Sequence, residues 1–488
     1  MEKILSHLQK RMQKLDCAHA DLRYVELERV KIKTQDGRLD EVKENKSSGI
    51  GIRVLKDGTF GFSSTRDFSG KSLLRHLDQA YEIAKQFSKI RHTDVKLIPS
   101  KPIRNRWQTP ITKDPWRLSL KEKIAPLVTA ENKLLSYRWV ESSTGALDFT
   151  RKRVIFVSGN GSWIDQIHYR TGGWVSGELW ISSKNTHGKG SEKIKRSWPG
   201  PTGLFRAQGY EAIQSFNFLK EASRIAGELK ELKTSPETPT GTFDLILKGS
   251  ILALQIHETF GHASESDRVY GYEDNFGGRT FLNPGLIGLS VASPHVTLAS
   301  DARPMNCTGA GSFAYDDEGM PARRIEIVKE GVFENYLTSR ETAFFLSQDQ
   351  SSANMVAEDW SHYPLIRMSN LNLLPGKGSL KEMVKDTKDG ILLDTESSWS
   401  IDEMRLDFQV GAEMGYRIRK GKITGLVRLP IYHGNTLDFW RSCDWVAGRK
   451  EWSFWGFSDC GKGGPYQEAF TGHGVSPTRF RKVRFGRV

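Results

Sequence analysis

Cysteine is scarce in this chain: four residues, at positions 17, 307, 443 and 460, among 488. They make no spaced framework, which excludes a disulfide-held scaffold and suits a reducing compartment. No stretch approaches the roughly 18 apolar residues that would span a bilayer. The first fifteen residues are charged and amphipathic, with Ile4, Leu5, Leu8, Met12 and Leu15 but no apolar h-region, so neither a signal peptide nor an anchor is expected. Internal repeats and low-complexity segments are also missing. Acidic residues fall short of basic ones, 58 against 71, for a net charge of +13. The excess is spread out, with concentrations around 85–123 and 479–487, and no helix-turn-helix, zinc-finger or RNP-like signature accompanies it. The expectation is a cytoplasmic protein with a solvated basic surface, and with neither nucleic acid nor membrane as a partner.

The fold class read from the chain is α+β. Residues 1–232 alternate strands with long helices: a helix over 1–15, a strand over 21–33, hairpin turns at Asp36-Gly37 and Asp57-Gly58, and helices over 73–87, 118–137 and 210–232. Residues 99–115 read as a proline-dotted loop, and 185–200 as a polar, mobile one. Proline, threonine and glycine mark 233–241 as a linker. Beyond it, 242–488 is mostly short strands with glycine turns, suggesting a β-rich barrel or sandwich that carries one functional helix. The tail from Arg479 to Phe485 interleaves charged and apolar residues like a strand with one wet face.

That helix holds the chemistry. It reads Ile256-His257-Glu258-Thr259-Phe260-Gly261-His262-Ala263-Ser264-Glu265-Ser266-Asp267. Neutral imidazoles bind a metal ion, and a carboxylate beside them can take a proton from water. Histidines four apart on an α-helix lie about 40° apart around the axis, whereas five apart is about 140°. The spacing therefore predicts a wider π-type turn, or a helix that loosens before His262, with Gly261 tolerating either. The plainer alternative is a buried helix with two hydrogen-bonded histidines and a solvated glutamate.

A hydrolytic zinc site has three protein ligands and an open position. The candidates for the third are Cys307, Cys443, Cys460, His295, His433, His473 and many carboxylates. Cys460 is favoured because Gly461, Gly463 and Gly464 let backbone approach an ion and Lys462 could help hold a thiolate. His473 reads as a loop histidine in preference to an extra polar group in the cleft. Glu265 and Asp267 could orient a ligand imidazole or be solvated carboxylates at a helix end. Asp316-Asp317-Glu318 reads as a charged hairpin turn closed by Gly319, and Trp440, Trp445, Trp452 and Trp455 as core packing or as walls of a peptide chamber.

The string H-E-x-x-G-H-x-x-E-x-D, met by His257, Glu258, Gly261, His262, Glu265 and Asp267, resembles the signature of the TldD/PmbA family of metallopeptidases, and its catalytic TldD branch more than PmbA. Residues 314–319, 370–376 and Asp459-Cys460-Gly461-Lys462 resemble further family segments in order, and 21–62 matches more loosely. The family continues its Cys-Gly-Lys with an acidic residue, Gly and Gln, where this chain has Gly463-Gly464-Pro465. The resemblance implies a dimer, either a homodimer or a heterodimer with a PmbA-like subunit. It implies one zinc per chain on His257, His262 and Cys460, with Glu258 as general base. The expected activity is hydrolysis of peptide bonds in small unfolded or modified polypeptides. The substrate-binding residues are not readable. The competing expectations are a non-catalytic scaffold subunit, or a hydrolase of another small amide or ester.

Overall fold

The computed structural model describes every residue except 92, 186–187, 274–277, 304–308 and 487–488; of the rest of 182–190 only the backbone is described. The first half is built on an eight-stranded sheet: β1 (His19–Gln35), β2 (Arg38–Lys56), β3 (Thr59–Thr65), β4 (Arg104–Gln108), β5 (Ser142–Ser158), β6 (Trp163–Asn185), β7 (Gly188–Trp198) and β8 (Leu204–Arg206). Its order is β3-β2-β1-β5-β6-β4, with β7 and β8 also pairing to β6. Both residues of each hairpin turn, Asp36-Gly37 and Asp57-Gly58, have positive φ, as a two-residue connection between twisted strands requires.

Strand alternation sorts the sheet into two faces. One carries Leu22, Ile50, Ile52, Val54, Ile155 and Val157 against the helices Glu2–Met12 and Gly70–Phe87. Further along the same face, Ile32 and Leu147 pack with Leu127, Ala130 and Leu134 of the helix Leu120–Leu135, next to the helix Phe218–Leu232. The opposite face meets the second half of the chain. There Arg23 lies 3.6 Å from Asp317, and Arg53, bonded to Asp21, lies 3.5 Å from Glu318. The acidic residues form the expected turn closed by Gly319, and it is buried against these arginines, with Asp316, Asp317 and Glu318 each at most 6 % exposed.

Three other expectations are corrected. The loop expected over 185–200 contains β7, because Ile194 and Arg196 point inward and Arg196 is matched by Glu228 and Glu413 at 2.9 and 2.7 Å. A charged residue there behaves as a core residue, which composition conceals. The loop expected over 99–115 contributes β4. The helix expected over 210–232 is two, Glu211–Ser215 and Phe218–Leu232, divided at Asn217 in the left-handed region.

In the second half, strands run across one mixed sheet in the order Glu396–Ile401, Asp407–Ala412, Ile431–Asn435, Thr478–Phe485, Gly241–Leu247, Asp389–Leu393, Gly415–Arg419, Lys422–Val427, with Cys443–Val446 also paired to Thr478–Phe485. The outer strands Glu396–Ile401 and Lys422–Val427 do not meet, so among the described residues there is no closed barrel. Arg481, Lys482 and Arg484 face outward on Thr478–Phe485, while Phe480, Val483 and Phe485 are buried. Residues 235–238 are tied to Arg428 by three hydrogen bonds of 2.9 Å. From Gly241–Leu247 the chain turns directly into the helix Gly249–Ile256, all eight residues of which are buried. An antiparallel ribbon, Ser453–Lys462 with Gln467–Val475, packs beside that helix.

Candidate metal centre

The helix Gly249–Ile256 runs into a π-helical turn, His257–Gly261, and then a 3-10 turn, His262–Ser264. The His262 N–H donates to the His257 carbonyl, the i→i+5 bond that defines the wider turn. This brings the two rings together despite the five-residue spacing, with centroids 4.8 Å apart and planes nearly perpendicular. Gly261 has ordinary right-handed angles, so conformational freedom is not why glycine stands there. A Cβ would lie 2.1 Å from Sδ of buried Met368.

Cys460 comes in from the ribbon, its Sγ 3.6 Å from Nε2 of His262. Donor atoms of His257, His262 and Cys460 all lie within 4.8 Å of one another, and each residue is at most 5 % exposed. Gly461 serves chiefly to seat a ring, since a Cβ there would meet Tyr466 at 2.4 Å.

Hydrogen bonds fix which nitrogen each histidine offers. The Leu371 carbonyl can only accept, so His473 carries its proton on Nδ1, 3.0 Å away. His473 Nε2 must then accept from Nδ1 of His257 at 2.9 Å, leaving Nε2 of His257 with a free lone pair. His262 Nδ1 donates to the Glu265 carboxylate at 3.1 Å, leaving its Nε2 towards Cys460. Burial pushes His257 and His262 below the usual imidazole range, favouring the neutral, ligating form. Burial raises the Cys460 thiol, but His262 and Arg367 outweigh it and the net direction is down, towards thiolate.

Glu265 is also held by Arg268 at 2.8 Å and Lys462 at 3.2 Å, and Lys462 with His262 and Arg268 keeps its carboxyl well below the usual range against the burial that would raise it. Asp267 touches neither histidine; both its oxygens accept from Lys462 at 2.8 Å. Lys462 is thereby committed to the carboxylates and the Ile366 carbonyl rather than to the thiol. Glu258 turns into an open cleft of ≈ 390 Å³, where Arg405 Nη1 donates to it at 3.0 Å. His257, His262 and Cys460 line the same cleft, with Trp399, Phe457, Asp459 and Tyr466.

The other candidates lie elsewhere. Cys443 is buried, its thiol pushed up to about 12 by burial. His433 lines a separate groove, His295 is exposed, and Cys307 falls outside the described residues. Trp440 and Trp455 are core residues, Trp445 and Trp452 bond to the Lys377 and Leu373 carbonyls, and none of the four lines the cleft. Two residues sit in the site against the sequence expectation, His473 because a loop is the preferred reading for it and Arg405 because nothing singles it out. His473 belongs to the strand Gln467–Val475, where pairing of Ala469 with Cys460 places 469, 471 and 473 on the thiol's side.

The donor set fits a zinc ion. A tetrahedral site with Zn–N of about 2.05 Å and Zn–S of about 2.3 Å has an N···S edge of about 3.6 Å, the separation found here. Two oriented imidazoles and a thiolate are also the ligands that suit zinc among the common divalent ions.

Residues 240–487 match the PmbA/TldA metallopeptidase C-terminal domain, and residues 20–84 match PmbA/TldA metallopeptidase domain 1. A metalloprotease of Methanothermobacter thermautotrophicus is 30 % identical over 96 % of this chain and 95 % of its own. A zinc metalloprotease TldD homolog of Saccharolobus solfataricus is 27 % identical over 46 % of this chain and 47 % of its own. The solved structure of TldE from Thermococcus kodakarensis superposes with a TM-score of 0.72 at 14 % identity, covering 99 % of this chain and 100 % of that one. The two domain matches, one in each half of the chain, are to a class of metallopeptidases. The chain belongs to the PmbA/TldA, or TldD/PmbA, metallopeptidase family.

Proposed function

We propose that the protein is a zinc-dependent peptidase of the catalytic TldD branch, hydrolysing peptide bonds in small unfolded or modified polypeptides. The observation that carries this is the convergence of Nε2 of His257, Nε2 of His262 and Sγ of Cys460 at the wall of a cleft that Glu258 also faces. The family membership and the zinc named for the Saccharolobus relative support it.

When bound, one zinc per chain supplies a Lewis acid for the scissile carbonyl and makes water acidic enough to attack near neutral pH. His257, His262 and Cys460 hold the ion, with Glu265 and His473 orienting the imidazoles through their second nitrogens. Glu258, oriented by Arg405, accepts the proton of the attacking water and passes it to the leaving amine. Asp267 acts one step further out, through Lys462. The edge strand Glu396–Ile401 contributes Trp399, Ser400 and Ile401 to the cleft, and an extended peptide can add to it as a further strand.

The same reading includes a division into residues 1–232 and 242–488, cytoplasmic location, and assembly as a homodimer or with a PmbA-like subunit; the shared fold with TldE supports the last. The test is metal content by mass spectrometry, wild type beside His262→Ala and Cys460→Ala. One zinc per chain, lost in both variants, is the expected result; metal-free wild type under non-chelating conditions would return the protein to the scaffold class.

A further inference from the structure

A cavity of ≈ 110 Å³ lies between the first sheet and the second half of the chain, apart from the metal cleft. It borders the same ribbon strand: Ser458 lines the cavity, and its neighbours Phe457 and Asp459 line the cleft. Its floor is set by register. Arg29, Thr150 and Arg170 form one row across β1, β5 and β6, and Leu27, Lys152 and His168 form the next.

The cations on this floor are unequally matched. Arg29 is paired with Asp148 at 2.7 Å and Glu468 at 3.5 Å. Among the described residues Arg170, 7 % exposed, meets no carboxylate: its two terminal nitrogens donate to the Tyr169 and Ser312 carbonyls at 3.0 and 2.6 Å, and its buried Nε has no partner there. Burial with nothing to offset it lowers its pKa to about 9. The Lys152 ammonium donates to the Ala357 carbonyl at 2.6 Å, with the charges of Asp317, Asp359 and Glu358 acting on it without a direct bond among the described residues. The carboxylates that border the cavity are committed. Asp316 accepts from the N–H groups of Glu318, Met320 and Met355, and Asp317 from Ala357 N–H while facing Arg23. Glu358 accepts from the Glu468 N–H, and Glu468 faces Arg29.

A buried guanidinium without a counter-charge is costly, and an anion seated in the cavity that Arg170 and Lys152 line supplies that charge. The remaining walls are apolar, including Leu27, Val154, Phe313, Met368 and Phe470, so a strongly hydrated dianion is disfavoured. Entry lies at the Arg29–Glu468 pair, whose side chains are 18 % and 31 % exposed.

We propose that this cavity binds a small organic carboxylate with an apolar body, either the C-terminal residue of a peptide or a free branched-chain acid, with Arg170 and Lys152 taking the carboxylate. The inference is independent of the peptidase reading, since it uses none of the metal-site residues.

The experiment is isothermal titration calorimetry on the full chain at pH 7.5, before and after chelation, with N-acetyl-L-leucine, isovalerate, N-acetyl-L-leucinamide and inorganic phosphate. Saturable binding of at least one acid, surviving chelation and at least tenfold weaker in Arg170→Gln, is expected; whichever acid binds identifies the source. Lys152→Met is read the same way should Arg170→Gln fail to fold. Equal binding of the amide, preference for phosphate, loss on chelation, or no binding by either acid would each overturn the proposal.

Discussion

His473 Nε2 stands 2.9 Å from Nδ1 of His257, and the Leu371 carbonyl on the far side of His473 dictates the direction of that bond. A backbone oxygen thus sets, through two rings, which nitrogen of His257 faces the cleft. Removing such an outer partner typically lowers metal affinity about 10–100-fold. His473→Ala should shift zinc affinity by that amount in chelator competition, with the circular dichroism of the fold unchanged; unaltered affinity would reduce His473 to packing.

Glu258 touches Arg405 and the cleft but is not among the three clustered donors. Glu258→Gln should therefore retain full zinc content while turnover of a peptide library falls by about 10²–10⁴-fold. Loss of metal in this variant would make Glu258 a ligand instead of a base.

Glu396 is 1 % exposed, bonded to Ser250 and Thr202, and burial pushes its carboxyl from 4.5 up to about 7. The folded state binds this proton more tightly than the unfolded state. Its contribution to stability is therefore greatest below pH 4.5, falls as pH rises to about 7, and is level above. Glu396→Gln should match wild type in urea unfolding at low pH and exceed it at pH 8, by about 3 kcal/mol at most. A difference that does not change with pH would show that Glu396 is not protonated in the fold.

Gly261 and Met368 share a space too small for one more carbon. Gly261→Ala should cost about 1–3 kcal/mol of stability through overpacking. Adding Met368→Ala should recover part of that loss, a coupling measurable in a double-mutant cycle. Simple additivity would mean that the turn, rather than the methionine, requires glycine.

The legible parts of this chain were those governed by local rules. The hairpins at Asp36-Gly37 and Asp57-Gly58, the amphipathic helix of 73–87 and the alternating tail at 479–485 follow from period and turn chemistry. The five-residue gap between His257 and His262 leaves a π-type turn or a loosened helix as the alternatives, and the structure has the first. The obscured parts depend on partners remote in sequence. Arg196 reads as loop polarity until Glu228 and Glu413 surround it, and the charged hairpin of Asp316-Asp317-Glu318 shows no sign of burial until Arg23 and Arg53 arrive from the first sheet. His473 passed for a loop residue because glycines at 472 and 474 mask a strand. Many short strands suggest a barrel or a sandwich without choosing between them, because closure depends on the pairing of the outermost two strands, and here they stay apart.

The arginines that bury the acidic turn also bear on how the molecule can be divided. A protein trimmed to the metal-bearing half would keep Asp317 and Glu318 but discard Arg23 and Arg53. It would strand buried charge and bare the surface that packs against the first sheet. A minimal enzyme cannot be made by cutting at 233–241. Exchange of halves between relatives will succeed only where the donor of the first half brings its arginines into the same register.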